Sequence, residues 1–132
     1  MRSEWMTLHL NMATLGPEAV NDQGNNWPLN KETSFSPLNT FILAVAGCSA
    51  GVYRNILDNS KIDYTFHDVA IDYERSDENA RPITAITITM YVSVAEENQG
   101  RAERATKMIH KYCPVVQSID PNIQVTEKVV FQ

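Results

Sequence analysis

Several residue types that would announce a common activity are scarce or absent. Only two cysteines, Cys48 and Cys113, occur in 132 residues, and there is no CxxC pair. That excludes a zinc ribbon and a dense disulfide framework, and leaves thiol chemistry or plain core packing. Three histidines, His9, His67 and His110, stand far apart, with no HExxH pattern or His/Asp cluster, so neither metal nor cofactor is expected. There is no Lys/Arg cluster, and the net charge of −5 with a pI near 5.1 disfavours nucleic acid and anionic membrane as partners. No charged-then-apolar leader opens the chain, so the expected location is cytoplasmic. Internal repeats and low-complexity tracts are missing too. The composition, 43% apolar and 20% charged, is that of one globular domain over residues 1–132.

What is present centres on Ser36–Asn59, SPLNTFILAVAGCSAGVYRNILDN. Ser36 can cap a helix start, and Pro37 suits the first helical position, where its missing N–H costs nothing. From Phe41 to Val52 every face is apolar or small, which predicts a helix buried on all sides. The run is shorter than the about 20 residues that span a bilayer. Cys48 sits at its middle between Gly47 and Gly51, small residues that leave space or let another backbone approach.

Around this helix the pattern is strand-like. Trp5–Met12 alternates, with Met6, Leu8, Leu10 and Met12 on one face, predicting a half-buried strand. The turn formers of Gly16–Lys31 predict a loop with a brief strand near Glu18–Val20. Ile62–Arg75 alternates with a slip between Phe66 and Val69, which places a bulge at His67-Asp68. Ile83–Val94 is rich in β-branched residues, with Ile86, Ile88, Met90, Val92 and Val94 on one face. These two predict a long hairpin joined through Ser76–Pro82. Gln99–Tyr112 reads as a second helix that ends near Pro114, and Ile123–Phe131 as a closing strand. The expected fold is α+β: a mainly antiparallel sheet around a long buried central helix. So apolar a helix is more than one such sheet can wrap, which predicts a homodimer burying over about 2,000 Å².

Two cysteines are the chemical candidates. Cys48 on an apolar helix can be an inert core residue, or a reactive thiol reached through the space beside Gly47 and Gly51. It lies well into its helix, so the dipole offers little and an activating charge must come from elsewhere. Cys113 can be a small residue at a helix end, or a partner thiol if the Cα atoms come within about 7 Å. Ser49 has no GxSxG elbow and is discounted as a nucleophile. Arg75 and Arg81 belong to a solvated loop or are charges presented to a dimer partner. Trp5, Trp27 and Phe35 are core aromatics or pocket walls.

The segment SPLNTFILAVAGCSAGVYRNIL resembles the central helix of the OsmC/Ohr superfamily. His110-Lys111-Tyr112-Cys113-Pro114-Val115 resembles that superfamily's second cysteine motif, and the 65 positions between the cysteines suit it. The resemblance runs from about Ser36 to Phe131. It implies an intertwined homodimer linked to osmotic and oxidative stress. It also implies thiol-dependent peroxidase chemistry with an organic hydroperoxide as substrate and a dithiol reductant. Cys48 would then be the peroxidatic and Cys113 the resolving cysteine, passing through a sulfenic acid to a disulfide.

One position departs from the family. Where peroxidase members carry a glutamate ten residues before the first cysteine, holding an activating arginine, this chain has Leu38. The N-terminal region offers only Arg2 as that arginine, with Glu18, Glu32 or a carboxylate of a second chain as substitute partners. The departure leaves a second reading, a non-catalytic small-molecule binding protein on the same dimeric scaffold. A third is a purely structural or partner-binding dimer.

Overall fold

The computed structural model describes residues 7–20 and 26–132. Chain contacts divide it into two compact units, Met1–Phe41 and Ile42–Gln132.

In the first unit, β1 (His9–Ala13), β2 (Gly16–Val20) and β3 (Asn26–Pro28) form an antiparallel meander. The β1–β2 register runs from His9 opposite Val20 to Ala13 opposite Gly16. Gly16, at φ +133°, takes the tight turn, a conformation L side chains rarely adopt. Of the expected strand Trp5–Met12, residues 5 and 6 lie outside the described residues, and the strand runs His9–Ala13; all of it is exposed, including Leu10 and Met12, so it is not half-buried. Trp27 and Phe35 are exposed as well, and Trp5 lies outside the described residues. The brief strand expected near Glu18–Val20 is present as β2, two residues longer at its start, and the rest of the expected loop differs in holding β3, which pairs with β2.

Helix α1 (Pro37–Asn59) starts as its sequence dictates: the Ser36 hydroxyl accepts the Asn39 N–H at 3.1 Å, with Pro37 at the first position. It is not buried on all sides. Ile42, Val45, Ala46, Ser49, Tyr53 and Leu57 form one buried stripe, while Phe41 and Leu43 are exposed. A buried stripe of this width is what one packing partner gives a helix, and among the described residues the side carrying Phe41 and Leu43 is left exposed. Length and composition alone would let α1 cross a membrane; here its buried stripe serves as the packing face of a core helix.

In the second unit β4 (Tyr64–Arg75), β5 (Ile83–Val94) and β6 (Gln124–Phe131) form the sheet. β4 and β5 make the expected antiparallel hairpin, with a bulge between Phe66 and Asp68 where the apolar parity slips. Ile86, Ile88, Met90, Val92 and Val94 are all buried on one face of β5. Each such side chain contributes roughly 1.5–3 kcal/mol by leaving water.

The fold is α+β as expected, and three of the four pairings among the described strands are antiparallel; the exception is β6, which lies parallel to β5, from Ala85 opposite Gln124 to Val92 opposite Phe131. A parallel neighbour needs a crossover, supplied by α2 (Glu96–Ala105), a 3-10 turn (Thr106–Met108), α3 (Ile109–Tyr112) and α4 (Pro114–Ser118). α2 begins earlier than the apolar spacing suggests, with Glu96 and Glu97 favouring its N-terminus. Ala102, Ala105 and Ile109 are buried, and the Tyr53 hydroxyl donates to the Ala102 carbonyl at 2.7 Å, tying α1 to α2.

Candidate functional site

Cys48 lies near the midpoint of α1, half-buried, one residue before the buried Ser49. Cys113 lies between α3 and α4, fully buried, with extended backbone at φ −88° and ψ 107°. Pro114 explains that break: its ring disfavours helical backbone in the preceding residue, yet suits the first position of α4. The kink stops Cys113 from continuing α3, and its thiol donates to the Cys48 sulfur at 2.8 Å. Two free thiols 65 positions apart thus meet. A disulfide requires a further approach of about 0.8 Å.

The site is lopsided. Burial pushes the Cys113 thiol up, and its hydrogen bond to Cys48 adds to that; a backbone bond at Val116 and the Ser49 hydroxyl oppose it. Cys113 therefore favours its protonated, donating form. Beside Cys48, Gly47 and Gly51 face open space: a Cβ at either would meet nothing within 4 Å. A cavity of about 250 Å³ lined by Gly47, Ala50, Gly51, Arg54 and Phe66 opens along that face. Among the described residues the glycines thus leave room, with no second helix lying against them.

A buried polar cluster backs the thiols. The Ser49 hydroxyl is 4.0 Å from the Cys113 sulfur. It also lies close enough to Glu127 to favour that carboxylate, without forming a hydrogen bond to it. Glu127 Oε2 pairs with His110 Nε2 at 2.9 Å, and the same nitrogen is 3.0 Å from the Val125 carbonyl. Only 5% of the Glu127 side chain is exposed, against 49% for His110. Desolvation pushes the Glu127 carboxyl up, with His110 the main opposing influence.

The structure brings Cys48 and Cys113 together, while His110 of the same motif pairs with Glu127 and touches neither sulfur. Arg2 lies outside the described residues, and among those described Cys113 is the only hydrogen-bonding partner of the Cys48 sulfur. Leu38 lies on the first turn of α1; Glu32 is exposed, and Glu18 accepts a bond from Asn26. The Arg75 side chain donates to the Arg81 carbonyl in the β4–β5 connection, so these two arginines serve the hairpin. Sequence reasoning missed Glu127. Its signal was available: it shares strand parity with Val125 and Val129, where a lone carboxylate breaks an apolar face.

Comparison with known proteins defines the class. The family model described as "OsmC-like protein" matches residues 30–128, and the chain belongs to that family. Solved structures share the fold. An OsmC-like protein from Mycoplasma pneumoniae has a TM-score of 0.74 at 13% identity, over 98% of this chain and 99% of its own. The organic hydroperoxide resistance protein OhrB of Bacillus subtilis has a TM-score of 0.61 at 16% identity, over 94% and 96%. An organic hydroperoxide resistance protein from Elizabethkingia anophelis has a TM-score of 0.66 at 13% identity, over 99% and 100%. No curated protein matches the chain.

Proposed function

We propose that this chain is a thiol-dependent peroxidase that reduces organic hydroperoxides in the cytoplasm. The observation that carries the reading is the 2.8 Å approach of the Cys48 and Cys113 sulfurs. The half-buried Cys48 thiolate attacks the peroxide, breaking O–O and forming a sulfenic acid and an alcohol. Cys113 then condenses with the sulfenic acid to a disulfide, releasing water, and a dithiol returns both to thiols. Family membership and hydroperoxide-resistance proteins of the same fold support this assignment.

The working unit in this proposal is an intertwined homodimer. The exposed Phe41 and Leu43 of α1, together with the open face at Gly47 and Gly51, support a second chain covering that helix. Sedimentation at micromolar concentration should give a dimer, and a monodisperse monomer would overturn this part. One equivalent of an alkyl hydroperoxide should remove two thiols and leave an intramolecular disulfide. A C48S variant that consumes peroxide as fast as the parent would sink the peroxidase reading.

One observation favours a second reading, a non-catalytic small-molecule binding protein. Leu38 replaces the glutamate that the family resemblance expects, and a cavity of about 420 Å³ opens between α1 and the helices after it, walled by Val52, Ile56, Met108 and Tyr112. Peroxide left unconsumed, with a metabolite retained in native mass spectrometry, would establish it.

A further inference from the structure

Glu127 is expensive where it stands. Its Oε1 is buried and has no hydrogen-bond partner among the described residues, although the side chain is only 5% exposed. Leaving a charged oxygen in that state costs several kcal/mol, whereas an apolar residue would suit the strand. On β6 it sits opposite Ile88 and shares its parity with Val125 and Val129. Stability therefore does not account for this carboxylate. Its surroundings do: the buried Ser49 hydroxyl, 4.0 Å from the Cys113 sulfur, is among the groups that act on this carboxyl.

We infer that Glu127 is the proton acceptor for the resolving thiol, reached through Ser49, with His110 holding the carboxyl in place. The inference rests on the reading of Cys48 and Cys113 as a reacting pair. Buried Cys113 has to lose a proton before its sulfur can attack, and no solvent reaches it. The Cys113 proton moves to Ser49 Oγ while the Ser49 hydroxyl proton moves to Glu127. The freed sulfur pair attacks the sulfur of the Cys48 sulfenic acid, S–S forms, and S–O breaks. The departing hydroxide takes up the proton from Glu127, so one thiol and one sulfenic acid become a disulfide and water. The oxidant, an organic hydroperoxide, was consumed in making the sulfenic acid. His110 Nε2–H, directed at Glu127 Oε2 and the Val125 carbonyl, leaves Oε1 free for Ser49.

Burial raises the carboxyl, which makes it a better acceptor for a thiol proton than an ordinary carboxylate. The titratable groups facing it are His110 and, across Ser49, Cys113. β5 contributes no charged side chain, and Lys107 of the intervening turn is exposed. Glu127 does not touch the reacting sulfurs; it acts through Ser49.

The test separates this inference from the peroxidase reading by using a small aromatic disulfide, Ellman's reagent, in place of peroxide. The reagent labels the half-buried Cys48, releasing one thiolate, and attack by Cys113 releases the second. In the parent the second release rises with pH through a carboxyl titration above the ordinary carboxylate range. Glu127→Gln should leave the first release unchanged and slow the second by on the order of 100-fold, abolishing that inflection. Glu127→Asp should restore part of both, and Ser49→Ala should resemble Glu127→Gln. A second release in Glu127→Gln with the parent's rate and pH profile would overturn the inference. Inertness toward hydroperoxide alongside a slowed second release would overturn only the peroxidase reading.

Discussion

The Cys48 and Cys113 sulfurs lie 2.8 Å apart, one at the middle of a long helix and the other at a proline-induced break 65 positions later. Oxidation should therefore lock the chain with little rearrangement. In the chain-entropy account, closing a loop of that length stabilises by up to about 4 kcal/mol. Mild oxidation should raise the urea midpoint of the parent and leave C48S and C113S where they were. An unchanged midpoint with both thiols lost would show that the sulfurs had been oxidised separately.

Glu127 should make the protein less stable at neutral pH than it need be. Burial raises its folded value above the ordinary 4.5, the reverse of the usual carboxylate case. Such a group stabilises most while protonated, below its unfolded value, and that contribution is lost as pH rises through the folded value. Glu127→Gln should thus increase the urea midpoint at pH 7, with the gain vanishing below 4.5. A loss of stability at pH 7 would mean that the contact with His110 outweighs desolvation.

Tyr53 behaves as a structural pin. Its ring is fully buried, its hydroxyl donates to Ala102, and burial, aided by Glu103, pushes the phenol up to about 12. Tyr53→Phe should cost about 1 kcal/mol at pH 7, because it removes a buried hydrogen bond to the Ala102 carbonyl. The phenol's contribution is complete below pH 10 and disappears between 10 and about 12, so the gap between parent and variant should narrow over that interval. Denaturant midpoints of the two proteins across that range provide the check.

Leu38 tests the activation of Cys48. Under the peroxidase reading, Leu38→Glu should raise the rate of peroxide consumption about tenfold, equivalent to about 1.4 kcal/mol in the barrier. Arg2→Ala in that background should remove the gain. Stopped-flow consumption of an alkyl hydroperoxide measures both; an unaltered rate in Leu38→Glu would show that no arginine answers the new carboxylate.

Local chemistry carried a large part of the fold. The Ser36-Pro37 start, the bulge at His67-Asp68 and the buried face of β5 follow from capping geometry and period-2 alternation. The direction of β6 did not, because a strand's side-chain pattern is the same whether its neighbour runs parallel or antiparallel. The exposure of β1 was illegible for a similar reason: alternation marks which face is apolar, and says nothing of what covers it.

The site divides the same way. That two thiols exist, that Pro114 breaks the backbone beside one, and that small residues flank the other can be read along the chain. Residue type, backbone restriction and side-chain volume are local properties. That the sulfurs meet, with Ser49 near Cys113 and Glu127 paired to His110, follows from how the elements pack. Those contacts join α1, the crossover helices and β6. Their chemistry depends on distance and desolvation, and neither exists until the sheet and helices have excluded water from the space between them.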